Sequence, residues 1–100
     1  MFAFGLIVDD QFKFVQTSDK HVYTYPSETL AREYFRYATH HSHLYRVDND
    51  LSVAHLIEAG DNTQPAPHVV TLTEDQKLAL WSSYVYKSLL AWCPYPETVR

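Results

Sequence analysis

Residues 73–92, TEDQKLALWSSYVYKSLLAW, are the stretch on which the fold turns. They read as one long helix. Thr73 and Gln76 have the spacing of a capping box, in which the Thr73 hydroxyl takes the amide of residue 76 and the Gln76 side chain reaches back. Glu74 and Asp75 put negative charge in the first turn, where the helix dipole favours it. Pro94 and Pro96 follow, and prolines that close cannot continue a helix, so it stops near Trp92. Its apolar residues fall on two faces. Leu78, Trp81, Val85, Leu89 and Trp92 recur at steps of three and four and form one stripe. Leu80, Tyr84 and Ala91 form a second, joined by Tyr86 and Leu90. A surface helix needs a single stripe about 100° wide. We expect Leu78, Trp81, Val85 and Leu89 to face the core. Leu80, Tyr84 and Ala91 then face a partner or a second copy of the chain, and Tyr86 and Leu90 stay open between the two.

Upstream of this helix, residues 68–72 are an extended lead-in, and residues 61–67, with Pro65 and Pro67, are the clearest loop. Residues 43–47 read as a strand and Asp48-Asn49-Asp50 as a tight turn. Residues 51–57 fit a strand or a short helix ending at Gly60, and the strand is preferred because it completes a hairpin. Ser27 is the N-cap of an earlier helix with Glu28 in its first turn. That helix has one stripe, Leu30, Ala31, Tyr34, Phe35 and Ala38, and fades at residues 39–42. Glu28, Arg32, Glu33 and Arg36 fill its other side, with Glu28 and Arg32 at the favourable four-residue spacing. At the start, Phe2, Phe4, Leu6 and Val8 alternate with Ala3, Gly5 and Ile7, a strand apolar on both faces. Asp9-Asp10 turns it into a second strand with Phe12 and Phe14, and residues 21–25, HVYTY, offer a third before Pro26. The order β-β-(β)-α-β-β-α predicts a single α+β domain: an antiparallel sheet of four to five strands with two helices.

Composition narrows the function classes. One hundred residues, 46% hydrophobic and 20% charged, make one globular domain with its own core. A net charge of −4 weighs against direct nucleic-acid binding, which needs cations, and suits a basic protein partner. Two glycines weigh against a phosphate loop. Cys93 is the only cysteine, so the chain has no internal disulfide and no cysteine zinc cluster, and a reducing, cytoplasmic setting is expected. The opening MFAFGLIVDD lacks a basic region and a cleavage site and reads as a strand, and no apolar run is long enough to cross a membrane.

Four groups of residues bear on chemistry. His40, His41 and His43 lie near Asp48 and Asp50, and His40 with His43 is a loose metal pair; the plainer reading is histidines placed at a helix C-terminus. Cys93 sits at a helix C-terminus, where the dipole disfavours a thiolate. Lys13, Arg32, Arg36 and Arg46 would make an anion site if they converged, but Glu28 and Glu33 already partner the helix arginines. Asp9, Asp10, Asp48 and Asp50 occupy turns, where aspartate is common for local reasons; clustered, they would form an acidic rim.

The eight tyrosines and two tryptophans are the main functional signal. The expectation is a non-enzymatic protein-interaction module without a cofactor. It would be a stoichiometric inhibitor of a nucleic-acid-handling protein, of the phage- or plasmid-encoded anti-defence type, acting in the host cytoplasm. Its partner-binding set would be Trp81, Tyr84, Tyr86, Trp92, Tyr95, Asp9, Asp10, Asp48 and Asp50. The alternatives are an immunity protein or antitoxin against a basic toxin, a homodimer through the last helix, and a homodimeric metal-binding protein using the histidines.

Overall fold

The apolar alternation at the start of the chain becomes the central strand of the sheet. A computed structural model describes residues 1–92, the side chains of residues 84–92 excepted. Its elements are β1 (Phe2–Val8), β2 (Gln11–Phe14), β3 (Thr24–Tyr25), α1 (Glu28–Phe35), β4 (His43–Val47), β5 (Val53–Glu58), β6 (Val69–Thr71) and α2 (Glu74–Trp92). The strands are antiparallel neighbours in the order β2-β1-β4-β5-β6, with β3 also paired to β1. This is the α+β domain expected, with residues 53–58 a strand and the lead-in to α2 adding a short sixth one.

β1 is apolar on both sides because each face of the sheet carries a helix. Ala3 joins Phe14, Val22, Tyr45, Val47, Ala54, Leu72 and Leu80 in the core beneath α2. Phe4 joins Ala31, Phe35 and Leu44 in the core beneath α1. A bulge serves the second core: Tyr45 pairs with Leu56 but Leu44 with Glu58, so Ile57 is the extra residue. Ile57 packs under α1 and Glu58 bonds Arg32 of that helix.

β2 and β3 share one edge of β1. Phe2 faces Arg46 of β4 on one side and Tyr25 of β3 on the other. Between them residues 15–23 leave the edge, tied at the base by the Gln16–Val22 bridge and by the Val15 amide donating to the Phe4 carbonyl at 2.9 Å. The expected third strand therefore shrinks to Thr24–Tyr25. The β1–β2 turn is made by Asp9 and Asp10 with φ of 52° and 65°, the left-handed pair of a type I′ turn. Glycine adopts that conformation without the Cβ clash. Asp10→Gly is expected to raise stability by about 0.5–1 kcal/mol in thermal denaturation; a lower melting temperature would show that the Asp10 side chain itself holds the turn.

The Ser27 cap is present, its hydroxyl accepting from the Leu30 amide at 3.2 Å. α1 ends at Phe35, before Ala38, because the next bonds tighten to three-residue turns: the Tyr37 amide to the Tyr34 carbonyl and the Ala38 amide to the Phe35 carbonyl. Tyr34, expected in the core, is 51% exposed.

α2 starts as its sequence dictates. The Thr73 amide donates to Gln76 Oε1 at 2.8 Å, and the Gln76 amide donates to Thr73 Oγ1 at 3.2 Å. The inward face, however, is the opposite of the one expected. Leu80 is 0% exposed, whereas Leu78 and Trp81 are 63% and 55% exposed. The reason is polar. Gln76 Nε2 donates to the Phe12 carbonyl at 2.7 Å, and the buried Ser83 hydroxyl accepts from the Val22 amide at 2.8 Å while donating to the Ala79 carbonyl. A buried amide without a partner costs free energy comparable to a lost hydrogen bond, so the helix turns Gln76, Leu80 and Ser83 inward. The expectations for the side chains of Tyr84, Val85, Tyr86, Leu89, Leu90, Ala91 and Trp92, and for Cys93 and Tyr95, lie outside the described part of the chain. Among the described residues no helix is long and apolar enough to cross a membrane.

Both glycines sit where a side chain would collide. Phe12 lays its ring over Gly5 to reach Tyr45, at 5.0 Å between centroids and 82° between planes. Gly60 lies against the Ser42 and Thr39 carbonyls, and its amide donates to His43 Nδ1 at 2.9 Å.

Tyr45 is buried with its hydroxyl donating to the Pro67 carbonyl at 2.9 Å, and burial pushes its ionisation up to about 12. The folded value lies above the unfolded one, near 10, so the fold favours the neutral phenol. The contribution is therefore whole below pH ~10 and is lost as pH rises through the folded value, at roughly 1.4 kcal/mol per pH unit. Tyr45→Phe is expected to flatten that alkaline loss in denaturant titrations while costing about 1 kcal/mol at neutral pH. Parallel alkaline curves for the two chains would place the titration elsewhere.

Candidate partner-binding surface

The β4–β5 hairpin turns through Asp48, Asn49, Asp50 and Leu51. Asp50 is fixed locally: Oδ1 accepts from the Ser52 hydroxyl at 2.6 Å and the Ser52 amide at 3.1 Å. The Ser52 hydroxyl is the main reason its carboxyl is more acidic than usual, with a lesser contribution from Lys77 of α2. Asp48 Oδ1 lies 3.2 Å from His55 Nε2 and 3.9 Å from the Arg46 guanidinium. Leu51 has φ of 62°. Left-handed backbone costs an L-residue roughly 1–2 kcal/mol, and a bulky aliphatic residue is a rare occupant. Leu51 is held there because its side chain packs against the core beneath α2.

That strained residue walls a hollow of about 360 Å³, shared with Met1, Pro26, Asp48, Asn49 and Trp81. The fold thus brings two of the expected binding residues, Trp81 and Asp48, to one place, with Asp50 on the same turn. Asp9 and Asp10 are not brought there. They follow Val8 at one end of β1, whereas Asp48 follows Val47, whose amide bonds the Met1 carbonyl at the other end. Seven strand residues separate the two turns, about 20 Å, so the acidic turns do not form a single rim.

The histidines separate too. His43 is buried, with Nδ1 accepting from Gly60 and Nε2 without a hydrogen-bond partner, while His40 lies on the surface with Nδ1 3.1 Å from Asp61. Among the described residues no three of His, Cys, Asp or Glu are grouped to hold a metal ion. The three arginines of the candidate anion set have local partners: Arg32 bonds Glu28 and Glu58, Arg36 lies 5.7 Å from the centre of the Tyr37 ring, and Arg46 approaches Asp48, while Lys13 lies on β2.

One aromatic grouping was not expected. Tyr23, Tyr25 and Tyr34 wall a cleft of about 580 Å³ that also shares Pro26 with the hollow beside Trp81. Its wall is the end of a ladder that starts in the core. Phe35 stands 5.6 Å from Phe4, Phe4 5.2 Å from Tyr25, and Tyr25 5.3 Å from Tyr34 in a near-parallel stack at 17°. Burial, and then the neighbouring Tyr23 and Tyr34 phenols, make the Tyr25 hydroxyl less acidic than usual. The signal was present in HVYTY, whose alternation sets Tyr23 and Tyr25 on one side, but Tyr34 reads as core unless α1 is known to sit over β3.

Comparison with family models, with curated proteins and with solved structures gives no match. The functional reading therefore rests on this geometry.

Proposed function

We propose that the chain is a non-enzymatic protein-interaction module that binds a basic, nucleic-acid-handling protein stoichiometrically and inhibits it. The observation that carries this reading is the hollow in which half-exposed Trp81 faces the left-handed Leu51. Backbone strain of this kind collects at functional sites, and tryptophan is the side chain most enriched among residues that dominate binding energy. Asp48 lines the hollow and Asp50 lies on the same turn, and with the net charge of −4 they favour a cationic surface over nucleic acid itself. An immunity protein against a basic toxin would use the same surface, and the identity of the captured partner separates the two.

The test is capture from a lysate of the native host, with mass spectrometry, using the wild-type chain, Trp81→Ala and Leu51→Asn. Asparagine tolerates the left-handed backbone, so the second variant removes the apolar wall without adding strain. A basic nucleic-acid-binding protein retained by the wild type, lost from both variants and displaced by competing DNA or RNA supports the reading. Equal capture by all three chains excludes this surface. A second reading follows from Leu78 and Trp81, three residues apart and both exposed on α2: a homodimer through that face. Sedimentation gives twice 11.7 kDa if it forms and 11.7 kDa at every concentration if it does not.

A further inference from the structure

We propose that the tyrosine cleft between β3 and α1 receives an arginine side chain of the protein partner. This deepens the reading of a basic partner and rests on it. It assigns a second contact, chemically distinct from the hollow beside Trp81.

Three observations lead to arginine. The first is rigidity. Tyr34 is not a loose surface ring but the outer rung of the Phe35–Phe4–Tyr25–Tyr34 ladder, whose inner two rings are buried. A planar ligand group stacked on Tyr34 extends a stack that the core already holds in place. The second is charge. Among the described residues Asp19 lines the cleft and no lysine or arginine does. The arginines of the adjacent helix are turned to other partners, Arg32 to Glu28 and Glu58, and Arg36 to Tyr37. Aromatic faces beside a carboxylate attract a cation. The third is the oxygen rim. Tyr23, Tyr25 and Tyr34 all line the cleft, and the Tyr23 and Tyr34 phenols can accept hydrogen bonds from a donor-rich ligand group there. A guanidinium is flat, weakly hydrated and rich in N–H donors, whereas an ammonium is compact and strongly hydrated, so arginine fits this cleft better than lysine. Tyr23 and Tyr34 are 40% and 51% exposed, which leaves part of each ring accessible to a ligand.

The experiment titrates the isotope-labelled full chain with acetyl-Gly-Arg-Gly-amide and follows backbone amide signals by NMR. Matched peptides carry lysine, uncharged citrulline, or a proline run. The expected result is millimolar binding of the arginine peptide, with shifts centred on Tyr23, Tyr25, Leu30 and Tyr34. Citrulline should weaken it by about 10-fold and lysine by about 3-fold. Tyr34→Ala, at an exposed position, should keep the melting temperature and lose about 5-fold in affinity, and Asp19→Asn about 3-fold. Citrulline binding as well as arginine, equal binding by the Tyr34→Ala chain, or shifts elsewhere on the surface would each overturn the assignment. Preferential filling of the cleft by the proline peptide would replace it with a polyproline groove. The probe is a short peptide and not the partner, so a negative result leaves the capture experiment with Trp81→Ala untouched, and the reverse also holds.

Discussion

Gly60→Ala is expected to be among the most destabilising single substitutions in the described chain. A Cβ at this position would fall on the Ser42 and Thr39 carbonyl oxygens and crowd Asn62 Nδ2. These are not loose atoms that could step aside. Asn62 Nδ2 donates to both carbonyls, at 3.0 and 3.2 Å, and the Asp61 amide donates to Thr39 at 3.0 Å. The Gly60 amide itself holds the buried His43 ring. Relief of the clash therefore breaks the junction that fastens the turns after α1 to the end of β5. Overpacking costs about 1–3 kcal/mol and a buried ring nitrogen left without its donor about 1–3 more. A total of about 2–6 kcal/mol is a large part of the roughly 5–15 kcal/mol that stabilises a domain. Circular-dichroism melting should show a fall of about 15–30 °C, or no cooperative transition. Gly5→Ala is the comparison. Its Cβ meets the end of the Phe12 ring, a side chain with some freedom, so its cost is smaller although Tyr45 backs the ring. A Gly60→Ala chain that melts within a few degrees of wild type would mean that these backbones do not approach so closely.

Adjacent residues of α2 should respond in opposite ways. Leu80→Ala empties a fully buried site in the core shared with Tyr45 and Val22, and should cost about 3 kcal/mol. Trp81→Ala trims a side chain more than half exposed, and should move stability by about 1 kcal/mol or less. Its effect should fall on binding: a central tryptophan is often worth more than about 2 kcal/mol, a 30-fold loss of affinity. Melting curves of the two variants, with capture of the partner as the second readout, give the comparison. If Trp81→Ala destabilised the fold and Leu80→Ala did not, α2 would be turned as its larger side chains suggest.

That contrast shows what the sequence could and could not convey. Local signals were readable. The two-sided alternation of β1, the Ser27 cap, the Thr73–Gln76 box and the β4–β5 hairpin each depend on residues close together in the chain. The orientation of α2 was not readable, because the deciding groups are distant. Ser83 faces inward to satisfy Val22, 61 positions earlier, and Gln76 to reach Phe12, 64 positions earlier. A count of apolar residues gives serine and glutamine no weight, although here they mark the inner face. The same holds for the site. Trp81 and Asp48 were identified singly as residue types suited to binding, and the fold placed them together. Asp9 and Asp10 were identified on the same grounds, and the antiparallel run of β1 put them at the far end. The tyrosine cleft depends on α1 packing over β3, a pairing no local pattern announces.

The detour at residues 15–23 bears on solubility. Without it, β2 and β3 would form one continuous outer strand along β1, and its row of unpaired amides and carbonyls would be a template for another chain. The detour divides that row into pieces of four and two residues, and β6, at the other margin of the sheet, has only three. A β-rich chain with 46% hydrophobic residues thus offers other copies, among the described residues, no long edge on which to polymerise. Shortening the detour to make a tidier sheet would be expected to raise the tendency of the chain to aggregate.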